Sequence, residues 1–168
     1  MERLWAPWRM EFILNEKPPG CIFCPGEKKN DEDDKKRLIL KRDTLAFVMM
    51  NRYPYTNGHL LVSPYRHVGS VQELHADEML QLFENVQHAC RVMNESLFPQ
   101  GFNIGINLGK AAGAGVDDHL HIHVVPRWVG DSNFMTVIAD VRVMPENLAA
   151  TYDKLLPGFR EDRAAGGE

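Results

Sequence analysis

Hydrophobic positions along the chain follow two periodicities. Four short stretches carry apolar residues densely or at every second position: LILKRDTLAFVMMN (38–51), HLLVSP (59–64), GFNIGINLG (101–109) and HLHIHVVP (119–126). These are strand patterns, with a turn near residues 41–43 dividing the first. Between the second and third, Leu82, Phe83, Val86, Ala89, Cys90, Met93 and Leu97 recur at helical spacing. Ser70 and Glu73 fit a capping box ahead of that run, which predicts one long helix reaching about Leu97 with its apolar face on the sheet. Pro54 and Asn57-Gly58 give residues 52–58 the chemistry of a turn, and Pro64 stops the strand after it. Residues 110–118, KAAGAGVDD, form a glycine-rich loop before the last strand. A short apolar piece, FMTVIADVRVM (134–144), precedes Pro145, which suits the first position of a final helix through Leu156. Residues 158–168 are expected to fray.

The strands do not alternate regularly with helices, and seven residues (52–58) are too few for a parallel crossover. An antiparallel α+β sheet is therefore expected. At 168 residues the chain has the length of one domain, spanning 1–168. Two tryptophans, Trp5 and Trp8, flank Pro7 in an N-terminal arm (1–14) that would bury its rings against the body or a partner chain. The run GEKKNDEDDKKR, within residues 26–37, is expected to be a solvated charged loop.

Composition changes this picture little. The chain is 44% hydrophobic and 25% charged, with a net charge of −4, which argues against a general nucleic-acid binder. A local cluster of donors can still hold a small anion. No apolar run approaches the ~20 residues that span a bilayer, and the N-terminal residues do not read as a signal peptide. Three cysteines do not make a disulfide framework, so a reducing, cytoplasmic setting is expected. Cys90 falls on the helical stripe and reads as a small buried hydrophobe.

The candidate chemistry lies in HLHIHVV. Three of the chain's seven histidines, His119, His121 and His123, stand at alternate positions, about 6.6–6.8 Å apart if the segment is extended. They share one face, while Leu120, Ile122 and Val124 point into the core. Such a face can bind a metal through neutral nitrogens, or supply a nucleophile or base tuned by its neighbours. Gly109, Gly113 and Gly115 would let backbone N–H groups turn toward an anion, although the loop is neither a Walker loop nor a Rossmann fingerprint. Cys21 and Cys24 have zinc-ligand spacing, with His67 and His119 as the further ligands; two unmetallated thiols are the alternative.

Taken together, HLHIHVV followed by PRW, the upstream NRYPYTNGHLLVSPYRH, and RLWAPWRM, CIFC and VPRWVGDSNFM resemble the histidine-triad (HIT) superfamily over about residues 3–157. They look most like its bacterial diadenosine tetraphosphate phosphorylase or ATP adenylyltransferase branch. The resemblance implies a five-stranded antiparallel sheet packed with a long helix and a C-terminal helix, paired as a homodimer. It implies attack by His121 on the α-phosphorus of an adenine nucleotide, giving a nucleotidyl-histidine, with phosphate or water as second acceptor. His123 would be the phosphate-side partner, and Asn107 would hold the phosphate region. Asn51 would bind ribose hydroxyls, with His59, Gly115 and Trp128 also on the substrate side. Zinc in a Cys21, Cys24, His67, His119 site would be structural, and no organic cofactor, nucleic acid or membrane is implied. Many relatives carry Ser or Gln at the position of Gly115, where this chain offers only a backbone N–H. The other functions weighed are a nucleoside phosphoramidate hydrolase, an enzyme with an open zinc on the triad, and a nucleotide-binding sensor with little turnover.

Overall fold

The computed structural model describes residues 20–26, 30–131 and 146–165, with side chains up to residue 160. The expected N-terminal arm, the apolar piece at 134–144 and Pro145 lie outside the described residues.

In chain order the elements are α1 (Asp31–Arg37), β1 (Ile39–Arg42), β2 (Ala46–Met50), β3 (Leu60–Pro64), a 3-10 turn (Val71–Glu73) and α2 (Ala76–Leu97). They continue with β4 (Gly101–Ile106), a second 3-10 turn (Lys110–Ala112), β5 (Ile122–Arg127) and α3 (Leu148–Ala165). The strands form one five-stranded sheet in the order β1-β2-β3-β5-β4, antiparallel at every pairing. This is the expected α+β architecture. Side-chain alternation divides the sheet by residue parity. Even-numbered Val48, Met50, Leu60, Val62, Ile122 and Val124 pack under α2 and α3, against Leu82, Val86, Ala89, Val92, Met93, Tyr152, Leu155 and Phe159. Odd-numbered Phe47 and Leu61 face the other way and form a smaller core with Ile39 and Phe23.

Six expectations are corrected. The last strand begins at Ile122 and not at His119, because the Leu120 N–H bonds to the Val68 carbonyl and not to a strand partner. The final helix begins at Leu148 and not at residue 145, with Asn147 Oδ1 accepting from the Ala150 N–H at 2.8 Å. The charge run is not all loop, because residues 31–37 form α1. Asn30 accepts from the Asp33 N–H at 2.7 Å, four acids fill the first turn, and Lys35, Lys36 and Arg37 close the last. Those charges complement the helix dipole, and Asp34 turns inward to Arg42 Nε at 3.0 Å. Ser70 and Glu73 do form a capping box, but it caps only the 3-10 turn. The long helix starts at Ala76, where the Glu78 carboxylate accepts from the His75 N–H at 2.8 Å. Phe83 lies at the margin of the apolar stripe and is 59% exposed, whereas Val92 is buried. Finally, α3 runs past Leu156 and through Pro157 to Ala165, so residues 158–165 are helical. Buried Phe159, and Gly158 seated against Val92, dock that last part on α2, and packing outweighs the helix-breaking tendency of proline.

Gly58 closes the turn that delivers β3. Its φ is +76°, and a Cβ there would overlap Leu97 Cδ1 and lie 3.5 Å from Pro126 Cγ. Gly58→Ala is expected to cost about 1–3 kcal/mol from the left-handed backbone and the crowding together. At roughly 2–4 °C per kcal/mol this is a visible drop in a thermal melt. A Tm within a degree of the parent's would remove this account.

Candidate functional site

Residues 21–24 form a tight turn, with the Cys24 N–H donating to the Cys21 carbonyl at 3.1 Å. Phe23, at its tip, is only 2% exposed and anchors the turn in the smaller core. The two cysteines thereby meet His67, which follows β3, and His119, which precedes β5. Cys21 Sγ is 3.3 Å from His119 Nδ1, Cys24 Sγ is 3.4 Å from His67 Nδ1 and 3.5 Å from His119 Nδ1, and the two Nδ1 atoms are 3.2 Å apart. All four ligand atoms lie within 4.8 Å of one another. Such separations are the edges of a tetrahedron whose vertices stand about 2.0–2.3 Å from its centre. The imidazoles are turned to suit it. His119 donates its Nε2–H to the Pro64 carbonyl at 2.9 Å, and His67 Nε2 faces Asp118 at 3.5 Å, so both Nδ1 lone pairs point inward. Burial pushes the Cys21 thiol up to about 11; a bound cation would favour its thiolate. The donor set therefore fits a closed, four-coordinate metal, and it joins the four residues expected from the sequence.

The next two histidines have different environments. His121 is 5% exposed, and its Nδ1–H donates to the His119 carbonyl at 2.9 Å. That bond fixes the tautomer and leaves a lone pair on Nε2. Burial holds the ring below its ordinary pKa, opposed by the bond to His119, so the ring is neutral near pH 7. Phe23 stacks on one face, with ring centroids 4.5 Å apart and planes at 19°.

Protonation of His123 follows from its neighbours. The Tyr55 N–H donates to His59 Nδ1 at 3.1 Å, and Asn51 Nδ2 reaches the same nitrogen at 3.2 Å. His59 is fully buried and pushed down to about 3, by burial first and then by His123 and His121. Being neutral, it carries its proton on Nε2 and donates to His123 Nδ1 at 2.9 Å. His123, pushed down to about 4 mainly by burial, must then be protonated on Nε2. That N–H is buried and has no hydrogen-bond partner among the described residues. The His121 and His123 rings are 5.0 Å apart. The site thus offers a free imidazole lone pair beside an unused imidazole donor.

These neutral rings make stability acid-sensitive. The unfolded chain takes up protons on His59 and His123 below about pH 6.5, while the folded chain refuses them until pH nears 3–4. Their contribution is therefore complete above about pH 6.5 and is lost progressively as the pH falls toward 4. Non-titrating His59→Gln is expected to lower Tm at neutral pH but flatten its fall over that range. An unchanged slope in pH-dependent melts would sink the assignment.

Strand register brings in further residues. Gly105 pairs with His123 and Ile106 with Ile122; Asn107 is the first residue beyond that paired stretch, as His121 is the last before it. Leu61 flanks His123 on the other side. Gly69 lies so close to the end of the glycine loop that a Cβ would stand 3.1 Å from the Asp117 carbonyl oxygen and 3.3 Å from Asp118 Cα. That contact, with the Leu120 N–H bonded to the Val68 carbonyl at 2.7 Å, seats the loop end beside His67. Gly115 is exposed, with nothing within 4 Å of an added Cβ. Asn51 is engaged within the protein, its Oδ1 accepting from the Tyr53 N–H at 2.9 Å. Trp128 is not brought to the triad of its own chain. It follows β5, about 16 Å beyond His123 at ~3.3 Å per residue, and its indole N–H donates to the Phe98 carbonyl at 3.1 Å.

Sequence reasoning missed Phe23 and Tyr55. Tyr55 lies 4.8 Å from the His59 ring and 5.8 Å from that of His123. An aromatic residue between two zinc-spaced cysteines was a usable signal for Phe23; nothing in the turn singled out Tyr55.

Fold and site define a class: an antiparallel α+β domain presenting a neutral, tautomer-fixed histidine immediately before an interior strand, next to a Cys2His2 cluster. Residues 31–129 match the HIT domain family. The chain is 38% identical over 157 residues to a Mycobacterium tuberculosis protein named AP-4-A phosphorylase, covering 90% of this chain and 80% of that one. It is 33% identical over 131 residues to the asymmetrical bis(5'-nucleosyl)-tetraphosphatase of Schizosaccharomyces pombe, covering 77% and 69%. Among solved structures it is similar to a zinc-bound histidine triad family protein from Mycobacterium smegmatis, with a TM-score of 0.62, 28% identity, and coverage of 76% of this chain and 87% of that one. The chain belongs to the histidine-triad family. No helix among the described residues is long and apolar enough to cross a membrane.

Proposed function

We propose that this chain is a HIT-type nucleotide enzyme that cleaves dinucleoside polyphosphates through a nucleotidyl-His121 intermediate. The observation that carries this reading is the pairing of His121 Nε2, a lone pair fixed by the bond from Nδ1–H to the His119 carbonyl, with the unpartnered Nε2–H of His123. In the first step the Nε2 lone pair forms a bond to the α-phosphorus. The bond from phosphorus to the bridging oxygen breaks, and its electrons leave with the departing phosphate. His123 Nε2–H hydrogen-bonds that oxygen as it gains charge. In the second step an oxygen of phosphate or water attacks the same phosphorus, water releasing a proton to solvent as it does so, and the N–P electrons return to His121. Asn107, just beyond the end of β4, would bind the phosphoryl oxygens, while the turn at Asn51 and His59 would hold the ribose side and Gly115 would offer its N–H near the leaving group. Trp128 would serve the substrate only from a partner subunit, in a homodimer.

Phosphorolysis is the favoured second step, supported by the name of the M. tuberculosis relative. Zinc is the metal proposed for Cys21, Cys24, His67 and His119, supported by the donor set and by the zinc-bound relative. With four protein ligands it would be saturated, so its contribution is to fix the knuckle and His119 and not to activate water.

Incubation with α-labelled diadenosine tetraphosphate, followed by peptide mapping, is expected to find label on His121. Label on another residue, or turnover without any adduct under rapid quench, would overturn the reading. Adding phosphate separates the acceptors, because only phosphorolysis yields ADP carrying the added phosphate.

Gly115 gives a milder prediction. Its backbone needs no positive φ and its Cβ position is open, so Gly115→Ser is expected to change stability by less than about 0.5 kcal/mol. The hydroxyl adds a donor near the leaving group, and kcat/KM is expected to rise severalfold for substrates with poorer leaving groups. Equal kcat/KM across a leaving-group series would show that position 115 does not meet that group.

A further inference from the structure

We propose that Phe23 stabilises the positive charge that His121 acquires when its nucleotidyl adduct forms, so that the cysteine knuckle contributes to catalysis as well as to metal binding. The inference rests on His121 being the nucleophile. The His119 carbonyl can only accept, so His121 keeps its Nδ1–H throughout. Forming the bond from Nε2 to phosphorus, with no proton lost from Nδ1, therefore turns a neutral imidazole into an imidazolium. The lone pair becomes the N–P bond, and the leaving oxygen carries away the electrons of the bond it breaks.

That cation forms out of water, because His121 is 5% exposed. Two groups face it. In the ring plane, the His119 carbonyl strengthens its hold on Nδ1–H. Against the ring face lies Phe23, at 4.5 Å and 19°. An aromatic face carries negative potential and attracts a cation within about 6 Å, most strongly when both are desolvated. Phe23 is placed for this by its own surroundings. It is 2% exposed, packs with Ile39, Phe47 and Leu61, and is bracketed by the two cysteines. It cannot move off the imidazole without opening the knuckle. Packing alone would be served by any bulky apolar side chain; a flat ring laid on the imidazole face adds an interaction that grows as charge develops.

The test places phenylalanine, 4-fluoro-, 3,5-difluoro- and pentafluorophenylalanine at position 23 by nonsense suppression. Shape is nearly constant across the series while the negative potential of the ring face is withdrawn stepwise. Single-turnover measurements with diadenosine tetraphosphate are expected to show adduct formation slowing about tenfold or more across the series, and adduct breakdown quickening, because breakdown starts from the cation. Tm and zinc content are expected to stay at the parent's values. Two rates that are flat across the series, or that fall together, would overturn the inference and leave Phe23 as packing only. Absence of any His121 adduct in the unsubstituted protein is a separate outcome: it would overturn the nucleophile reading and this inference with it.

Discussion

His121→Ala is expected to lower turnover of diadenosine tetraphosphate by about 10⁴-fold or more, with no covalent adduct detectable. Removing a nucleophile removes both steps of a two-step displacement, and losses of this order are what nucleophile deletions produce. Alanine also leaves a cavity under Phe23 and the His119 carbonyl without its donor, so some stability is lost too. His121→Asn separates the two effects. Its side-chain N–H can still donate to the carbonyl, but it has no lone pair for phosphorus. It is expected to melt close to the parent and to be as inactive as the alanine variant. His123→Gln is expected to lose less, about 10²-fold, because it removes a donor and not the attacking atom. Turnover by His121→Asn within tenfold of the parent would exclude His121 as nucleophile.

Replacing either knuckle cysteine is expected to have the largest effect on stability. In Cys21→Ser or Cys24→Ser, bound zinc is expected to fall from about one per chain to near zero by elemental analysis. A structural metal contributes directly to folding free energy. Losing even ~3 kcal/mol of it would lower Tm by roughly 6–12 °C in a chain of this size. The disturbance would not stay at the cluster, because Phe23 lies between the two ligands and rests on His121. Activity and Tm are therefore expected to decline together as metal is stripped by chelator. Loss of activity at unchanged Tm would instead favour an open metal on the triad, the reading that the four-ligand geometry argues against.

Much of the fold was legible from local pattern. Strands β1, β2, β3 and β5 were visible because one or both of their faces carry buried residues, β4 because its apolar residues alternate although none is fully buried, and the long helix because its stripe repeats at 3.6 residues. Errors came where local signals competed. Ser70 and Glu73 are a true box, yet His75 and Glu78 provide a second start, and Arg66 clamps Glu78 with its Nε at 3.0 Å and Nη2 at 2.7 Å. The charge run hid α1 because high polarity suggested a loop, while the order of its charges, acids first and bases last, was that of a capped helix. Residues 158–168 were expected to fray as a terminal segment, but buried Phe159 anchors the part that continues α3.

Sequence by itself determined that this is an antiparallel α+β chain with three alternating histidines running into a strand and two cysteines at metal spacing, because periodicity and spacing are properties of the chain; only His123 proved to lie on β5, which begins at Ile122. It also pointed to the four metal-site residues. Tertiary structure alone decided what each ring does. Whether a histidine nitrogen is a donor or a lone pair depends on what faces the other nitrogen, and those partners come from distant segments. The Pro64 carbonyl turns His119 toward the cysteines. His59, held by the Tyr55 N–H, forces the proton of His123 onto Nε2. Phe23, nearly a hundred residues away in sequence, covers the face of His121. Three chemically identical side chains become three different groups because folding gives each a different neighbour.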